Sequence, residues 1–257
     1  MIPSTELFDV RGKVALVTGG SRGIGLMIAR GLVDAGARVL VSSRKEADIV
    51  AAAQEIGAEA IVADVSTQEG AVALADAVRE RTDRLDVLVN NAGATWGAPL
   101  EEFPQSGWDR VSHVNVEGIF HLTVALLPQL RAAASAEDPG RVINIGSVDG
   151  IKVPLTENYS YSASKAAVHM LTRHLAKRLA GEQITVNAIA PGPFESKMTA
   201  FLLSSEEGRA AVAAQVPLGR IGSDEDAAGL TIFLSSRAGA YLTGTVIPLD
   251  GGWSGCG

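Results

Sequence analysis

The stretch Lys13-Val-Ala-Leu-Val-Thr18, then Gly19-Gly-Ser-Arg-Gly-Ile-Gly25, then Leu26-Met-Ile-Ala-Arg-Gly-Leu32 decides the fold. Its opening residues form the apolar, β-branched run of a buried strand, and its closing residues read as a helix. Between them Gly19 permits a sharp exit from the strand. Gly23 and Gly25 let the backbone approach a bound group and let the helix close on the sheet. With Ser21, Arg22 and Ile24 they make a turn whose free N–H groups, at the positive end of the helix, face a pyrophosphate. A glycine-rich turn alone is a weak signal; its place between a first strand and a helix gives it meaning.

Working outward, six further runs read as strands: Arg38–Val41, Ala60–Val62, Asp86–Val89, Arg141–Ile145, Ile184–Ile189 and Thr245–Leu249. None alternates polar with apolar, so all seven are expected to be buried on both faces, as parallel strands under helices are. Helical stretches such as 24–36, 68–82, 108–134 and 162–180 lie between them. The expectation is an α/β fold: one Rossmann-type, doubly wound domain over residues 1–257, with a seven-stranded parallel sheet. Ser66-Thr-Gln-Glu69 and Ser223-Asp-Glu-Asp226 read as capping boxes, and Pro128 should kink the long helix.

The chain has 257 residues, 22 basic and 29 acidic, with a net charge of −7. That balance argues against nucleic acid or an anionic membrane as main partner. The N-terminal segment lacks the pattern of a signal peptide, and no apolar stretch reaches bilayer length. Cys256 is the sole cysteine, which leaves no internal disulfide or thiolate cluster. The four histidines, His113, His121, His169 and His174, do not carry metal-ligand spacing, so no metal is expected. The reading is a reduced, cytoplasmic protein.

An acidic residue that would grip a ribose 2′-hydroxyl should close the second strand. Val41-Ser42-Ser43-Arg44 has none there. Arg44, beside Ser43, and Arg22 in the glycine turn offer guanidinium groups for a 2′-phosphate instead, which favours NADP(H) over NAD(H). Further on, Tyr161 and Lys165 are spaced for one helix face. An ammonium near the phenol is expected to lower its pKa from about 10 toward the working range of an acid–base catalyst. Ser147 ends the fifth strand at the carboxyl edge, where a hydroxyl can hold a substrate oxygen, although a serine there also serves as a plain cap. Asn115, in His113-Val-Asn-Val-Glu117, reads either as a satisfied core amide or as part of that chemistry.

With Thr18-Gly-Gly-Ser-Arg-Gly-Ile-Gly25, Asn90-Asn-Ala-Gly93, Asn115, Ser147, Tyr161/Lys165 and Pro191-Gly192 in this order, the chain resembles the short-chain dehydrogenase/reductase family over about residues 10 to 252. The resemblance implies an enzyme with Tyr161 as general acid in ketone reduction. It implies that Lys165 tunes Tyr161 and binds the nicotinamide ribose, that Ser147 holds the substrate oxygen, and that Asn115 keeps a water in a proton relay. It puts Asn91, Ala92 and Gly93 on the adenosine side, Asp64 and Val65 near the adenine, and Pro191, Gly192 and Ser196 by the carboxamide. Several stretches are similar to the 3-oxoacyl reductases, which suggests an acyl-thioester substrate, and the family implies a homotetramer. Asp149 and Lys152-Val-Pro-Leu-Thr-Glu157 are polar for an acyl pocket, so a sugar, polyol or cyclic ketone stays open. A sensor without chemistry would be expected to lose Tyr161, Lys165 or Ser147. The apolar run Lys197–Leu203 reads as a lid over substrate or as an ordinary packed helix.

Overall fold

The computed structural model describes residues 2–154, 156–196 and 199–256, with the backbone alone for Phe201 and Leu202. Seven strands are present: β1 Val14–Thr18, β2 Arg38–Ser43, β3 Glu59–Val62, β4 Val87–Asn90, β5 Gly140–Ile145, β6 Ile184–Pro191 and β7 Val246–Leu249. They pair in parallel in the order β3-β2-β1-β4-β5-β6-β7, the doubly wound sheet expected from the sequence. The order reverses between β1 and β4, so the connections above these two strands diverge and leave a crevice at their carboxyl ends.

Burial follows position in the sheet. The central strands β1, β4, β5 and β6 are buried along their whole length. The edge strands β3 and β7 are not, which corrects the expectation that all seven would be: each has a neighbour on one side only. One core packs helices Gly23–Asp34, Glu46–Ile56 and Asp224–Ser235 through Ile28, Leu32, Ile49, Ala53 and Leu234. The opposite core packs Gln68–Arg79, Gly118–Ala125 and Tyr159–Leu179 through Leu74, Val78, Leu122, Ala176 and Leu179. Gly31 lets the first and last helices of the former face touch, because a Cβ there would overlap Ala228.

The expected long helix 108–134 is four pieces. Gln105–Ser112 runs into a π turn, His113–Glu117, then Gly118–Ala125, and a break at Leu126 precedes Leu127–Ala133. Pro128 has no N–H to donate to Val124 and so starts the last piece instead of kinking the whole. One capping box stands: the Asp226 carboxylate accepts from the Ser223 N–H at 2.8 Å. The other moves by one residue. Thr67, not Ser66, is the N-cap, and its hydroxyl accepts from Gly70, which has no side chain to reach back.

Arg141 enters β5 fully buried and donates to the carbonyls of Leu234 (3.0 Å), Ser236 (2.9 Å) and Pro139 and to Asp138 (3.0 Å). Every arm finds an acceptor, which is how a guanidinium tolerates a core. It pins the end of the Asp224–Ser235 helix to β5.

Candidate active site

Above the β1/β4 crevice lies a cleft of about 540 Å³. The glycine turn forms its floor: Gly19, Ser21, Arg22, Gly23, Ile24 and Gly25 all line it. Gly19 has a positive φ of 66°, and a Cβ there would stand 2.8 Å from the Asn91 amide nitrogen and 3.0 Å from the Ala92 Cα. Only glycine fits that approach. The Thr18 hydroxyl accepts the N–H groups of both Asn91 and Ala92 at 3.0 Å, while the Asn91 side chain donates to the Thr18 carbonyl at 2.8 Å. The ends of β1 and β4 are thereby sewn together beneath the site. These are backbone-lined surroundings for a pyrophosphate, and a nicotinamide dinucleotide fits the cradle.

At one end of the cleft stand Ser43 at the end of β2, Arg44 just after it, Asp64 and Val65 after β3, and Lys45 and Asp48. Arg44 faces Asp64 at 3.6 Å and Arg22 faces Asp48 at 4.0 Å, all with side chains about half exposed. The Asp64 carboxylate also accepts the Ser66 N–H at 3.0 Å. Lys45 and Asp48 were not singled out from the sequence. Charged residues that open a surface helix give no sign there of facing a phosphate site.

At the other end Ser147, Tyr161 and Lys165 converge with Gly93, Pro191, Gly192 and Ser196. All the expected cofactor and catalytic residues line this one cleft except Asn115, which lies beneath it. The Asn115 amide donates to the Ala94 carbonyl and the Ser164 hydroxyl, both at 2.9 Å, and accepts the Ala94 N–H at 2.8 Å. Ser164 donates in turn to the Tyr161 carbonyl at 2.7 Å. The π turn carries Asn115 to this junction between the β4 loop and the Tyr159–Leu179 helix.

The electrostatics differ from the sequence expectation. The Lys165 ammonium is buried, donates to the Ile145 carbonyl at 2.7 Å and sits 5.4 Å over the Tyr161 ring, not against its hydroxyl. Burial pushes Lys165 down to about 8, with Asp149 acting against it. Tyr161 opens in part onto the cleft, yet its phenol is enclosed by protein. Burial pushes it up to about 12; the Ser147 hydroxyl works downward and Asp149 upward. The phenol is therefore not brought down toward neutrality here, because desolvation outweighs the Ser147 hydrogen bond.

Thr95, Arg110, Val114, Phe194 and Thr199 also line the cleft and had no signal in the sequence. Lys197 and Met198, which begin the expected lid, lie outside the described residues; its remainder includes a short helix, Ala200–Leu203. Among the described residues no three His, Cys, Asp or Glu side chains assemble a metal site, and no helix is long and apolar enough to cross a membrane.

A sheet that reverses at β1/β4, a glycine cradle and a Ser–Tyr–Lys cluster at one cleft define a dinucleotide-dependent oxidoreductase. The chain belongs to the short-chain dehydrogenase/reductase family: the short chain dehydrogenase family matches residues 13–207. It is 51% identical over 250 residues to the rhamnolipids biosynthesis 3-oxoacyl-[acyl-carrier-protein] reductase of Pseudomonas aeruginosa, covering 96% of this chain and 98% of that protein. The solved Pseudomonas aeruginosa RhlG/NADP active-site complex superposes with a TM-score of 0.94 at 50% identity, over 97% of this chain and 99% of that one. Gluconate 5-dehydrogenase of Gluconobacter oxydans is 34% identical over 252 residues, covering 96% of each chain.

Proposed function

We propose that the protein is a cytoplasmic, NADP(H)-dependent reductase that converts the ketone of a 3-oxoacyl thioester to a secondary alcohol, with the whole chain, 1–257, as one dinucleotide-binding and catalytic domain. The observation that carries this reading is the Tyr161 phenol beside the Ser147 hydroxyl at one end of a cleft whose floor is the glycine turn. Likeness to the rhamnolipids biosynthesis reductase and to the RhlG/NADP complex supports substrate and coenzyme. When bound, the reduced nicotinamide supplies a hydride. Ser147 donates a hydrogen bond to the ketone oxygen, and the Tyr161 hydroxyl gives that oxygen its proton. The phenol is protonated at neutral pH and so carries the proton that the oxygen takes. The neighbouring Lys165 ammonium and the Ser147 hydroxyl then stabilise the phenolate left behind. Asn115 serves by holding the β4 loop and Ser164 in place.

Arg22 and Arg44 receive the 2′-phosphate, released from Asp48 and Asp64 as it enters. Asn91, Ala92 and Gly93 flank the adenosine half, and Pro191, Gly192 and Ser196 the carboxamide. Exposed Phe120, Val124 and Met170 on the helices bearing Asn115 and Tyr161 supply apolar surface for a homotetramer. A second reading, a sugar or polyol substrate, draws on the carboxylate of Asp149 close to the reacting groups and on the likeness to gluconate 5-dehydrogenase. NADPH oxidation measured with an acetoacetyl thioester beside sugars, diketones and cyclic ketones separates the two. The thioester should give the highest kcat/KM; turnover of sugars alone would reverse the order.

A further inference from the structure

Behind the reacting groups lies a polar contact that the proposed reaction does not use. Asp149 stands two residues after Ser147, in the 3-10 turn Val148–Gly150 that follows β5. The Ser147 hydroxyl accepts the Asp149 N–H at 3.1 Å, so the two residues move as one turn. The Asp149 carboxylate in turn accepts from the Asn158 side-chain amide at 3.0 Å. Asn158 is the N-cap residue of the Tyr159–Leu179 helix, and its carbonyl accepts the N–H of Tyr161 at 2.8 Å and of Ser162 at 3.1 Å. One side-chain bond thus joins the turn that carries the Ser147 hydroxyl to the helix start that carries the phenol.

The surroundings make that bond informative. Among the described residues five buried polar side-chain atoms lack a partner, and three of them, Asn158 Oδ1, Ser160 Oγ and His169 Nε2, belong to this cap and helix. The Asn158 amide leaves its oxygen unpaired while its nitrogen meets the carboxylate. Burial raises the pKa of Asp149, with Asn158 and Lys165 acting downward. The groups facing the phenol are Ser147 and Asp149 from the β5 turn and Lys165 from its own helix. The π turn brings Asn115 by way of Ser164, and His169 and Arg173 follow further along the helix.

We propose that Asp149 is a positioning residue of the proton donor: through Asn158 it locks the Ser147 turn to the Tyr161 helix, with its carboxylate set near the phenol. The inference rests on Tyr161 being the acid, and it goes beyond that reading by assigning the device that sets the acid's geometry. Two variants separate the halves. Asp149→Asn keeps an acceptor for Asn158 and removes the charge; Asn158→Ala keeps the charge and removes the tie.

The test follows Tyr161 directly, by NMR titration of protein labelled at tyrosine Cζ, alongside the pH profile of kcat for NADPH-dependent ketone reduction. The Tyr161 resonance is identified by its loss in Tyr161→Phe. In Asp149→Asn the Tyr161 step should move to lower pH, since a lost neighbouring anion favours the phenolate. In Asn158→Ala the step should stay closer to its wild-type place while kcat falls roughly 10-fold, the effect of a slipped donor. A Tyr161 titration unmoved in Asp149→Asn, or full kcat in Asn158→Ala, overturns the proposal. The titration needs no turnover, so failure of the acid assignment shows separately, as activity retained by Tyr161→Phe.

Discussion

The two ends of the cleft handle charge in opposite ways. At the nucleotide rim Arg22, Arg44, Asp48 and Asp64 are half exposed and loosely paired at 4.0 and 3.6 Å. Pairs of that kind are worth about 0–1 kcal/mol and are readily exchanged for a better partner. At the inner end Lys165 is buried and Tyr161 and Asp149 are largely enclosed, and burial is the main cause that moves Lys165 down to about 8 and Tyr161 up to about 12. Where water screens charge, residues can recognise; where water is excluded, residues acquire altered proton affinities and can react.

Tyr161→Phe should show the largest effect, a loss of kcat of roughly 10²–10⁴-fold with the melting temperature nearly unchanged. Activity that survives in this variant would erase the distinction between the two ends. Arg44→Asp should lower kcat/KM for NADPH roughly 10- to 100-fold relative to NADH, the scale of a lost charge-assisted contact. An unchanged coenzyme ratio would mean that the rim does not read the 2′-phosphate. The last effect concerns stability, not turnover. Lys165 has a folded pKa of about 8 against an ordinary 10.5, so between these values the unfolded chain binds more protons and stability rises with pH. Below about 8 the buried ammonium is a full liability. Wild type should therefore gain on Lys165→Met as pH rises from 7 to 10, by up to about 3 kcal/mol, read as the gap between their melting temperatures. A constant gap would show that the ammonium is not desolvated.

Legibility followed locality. The seven strands, the glycine turn and the Tyr161–Lys165 pair rest on neighbours in sequence: an apolar run, a run of glycines, a spacing of four. What was misread depends on partners far along the chain. The π turn at 113–117 is held where Asn115 meets Ala94 and Ser164, and nothing in His113-Val-Asn-Val-Glu117 announces an extra residue per turn. Thr67 displaces Ser66 as cap although both are good capping residues side by side. Tyr161 stays high because burial outweighs the Ser147 hydrogen bond, and burial belongs to the assembled fold, not to a spacing of four. Edge exposure of β3 and β7 is a property of strand order, which apolar content does not encode.

Thr18 has a bearing on how such an enzyme can change over generations. Its hydroxyl fastens β1 to β4 from below, so a substitution that removes the hydroxyl disturbs sheet and cradle together. Among the described residues the Arg22 and Arg44 side chains have no comparable dependants, since they pair only with the surface carboxylates of Asp48 and Asp64. If Arg22 and Arg44 read the coenzyme as proposed, its preference can drift by single substitutions at the periphery while the floor is kept, and descendants can diverge in reductant without rebuilding the platform that holds it.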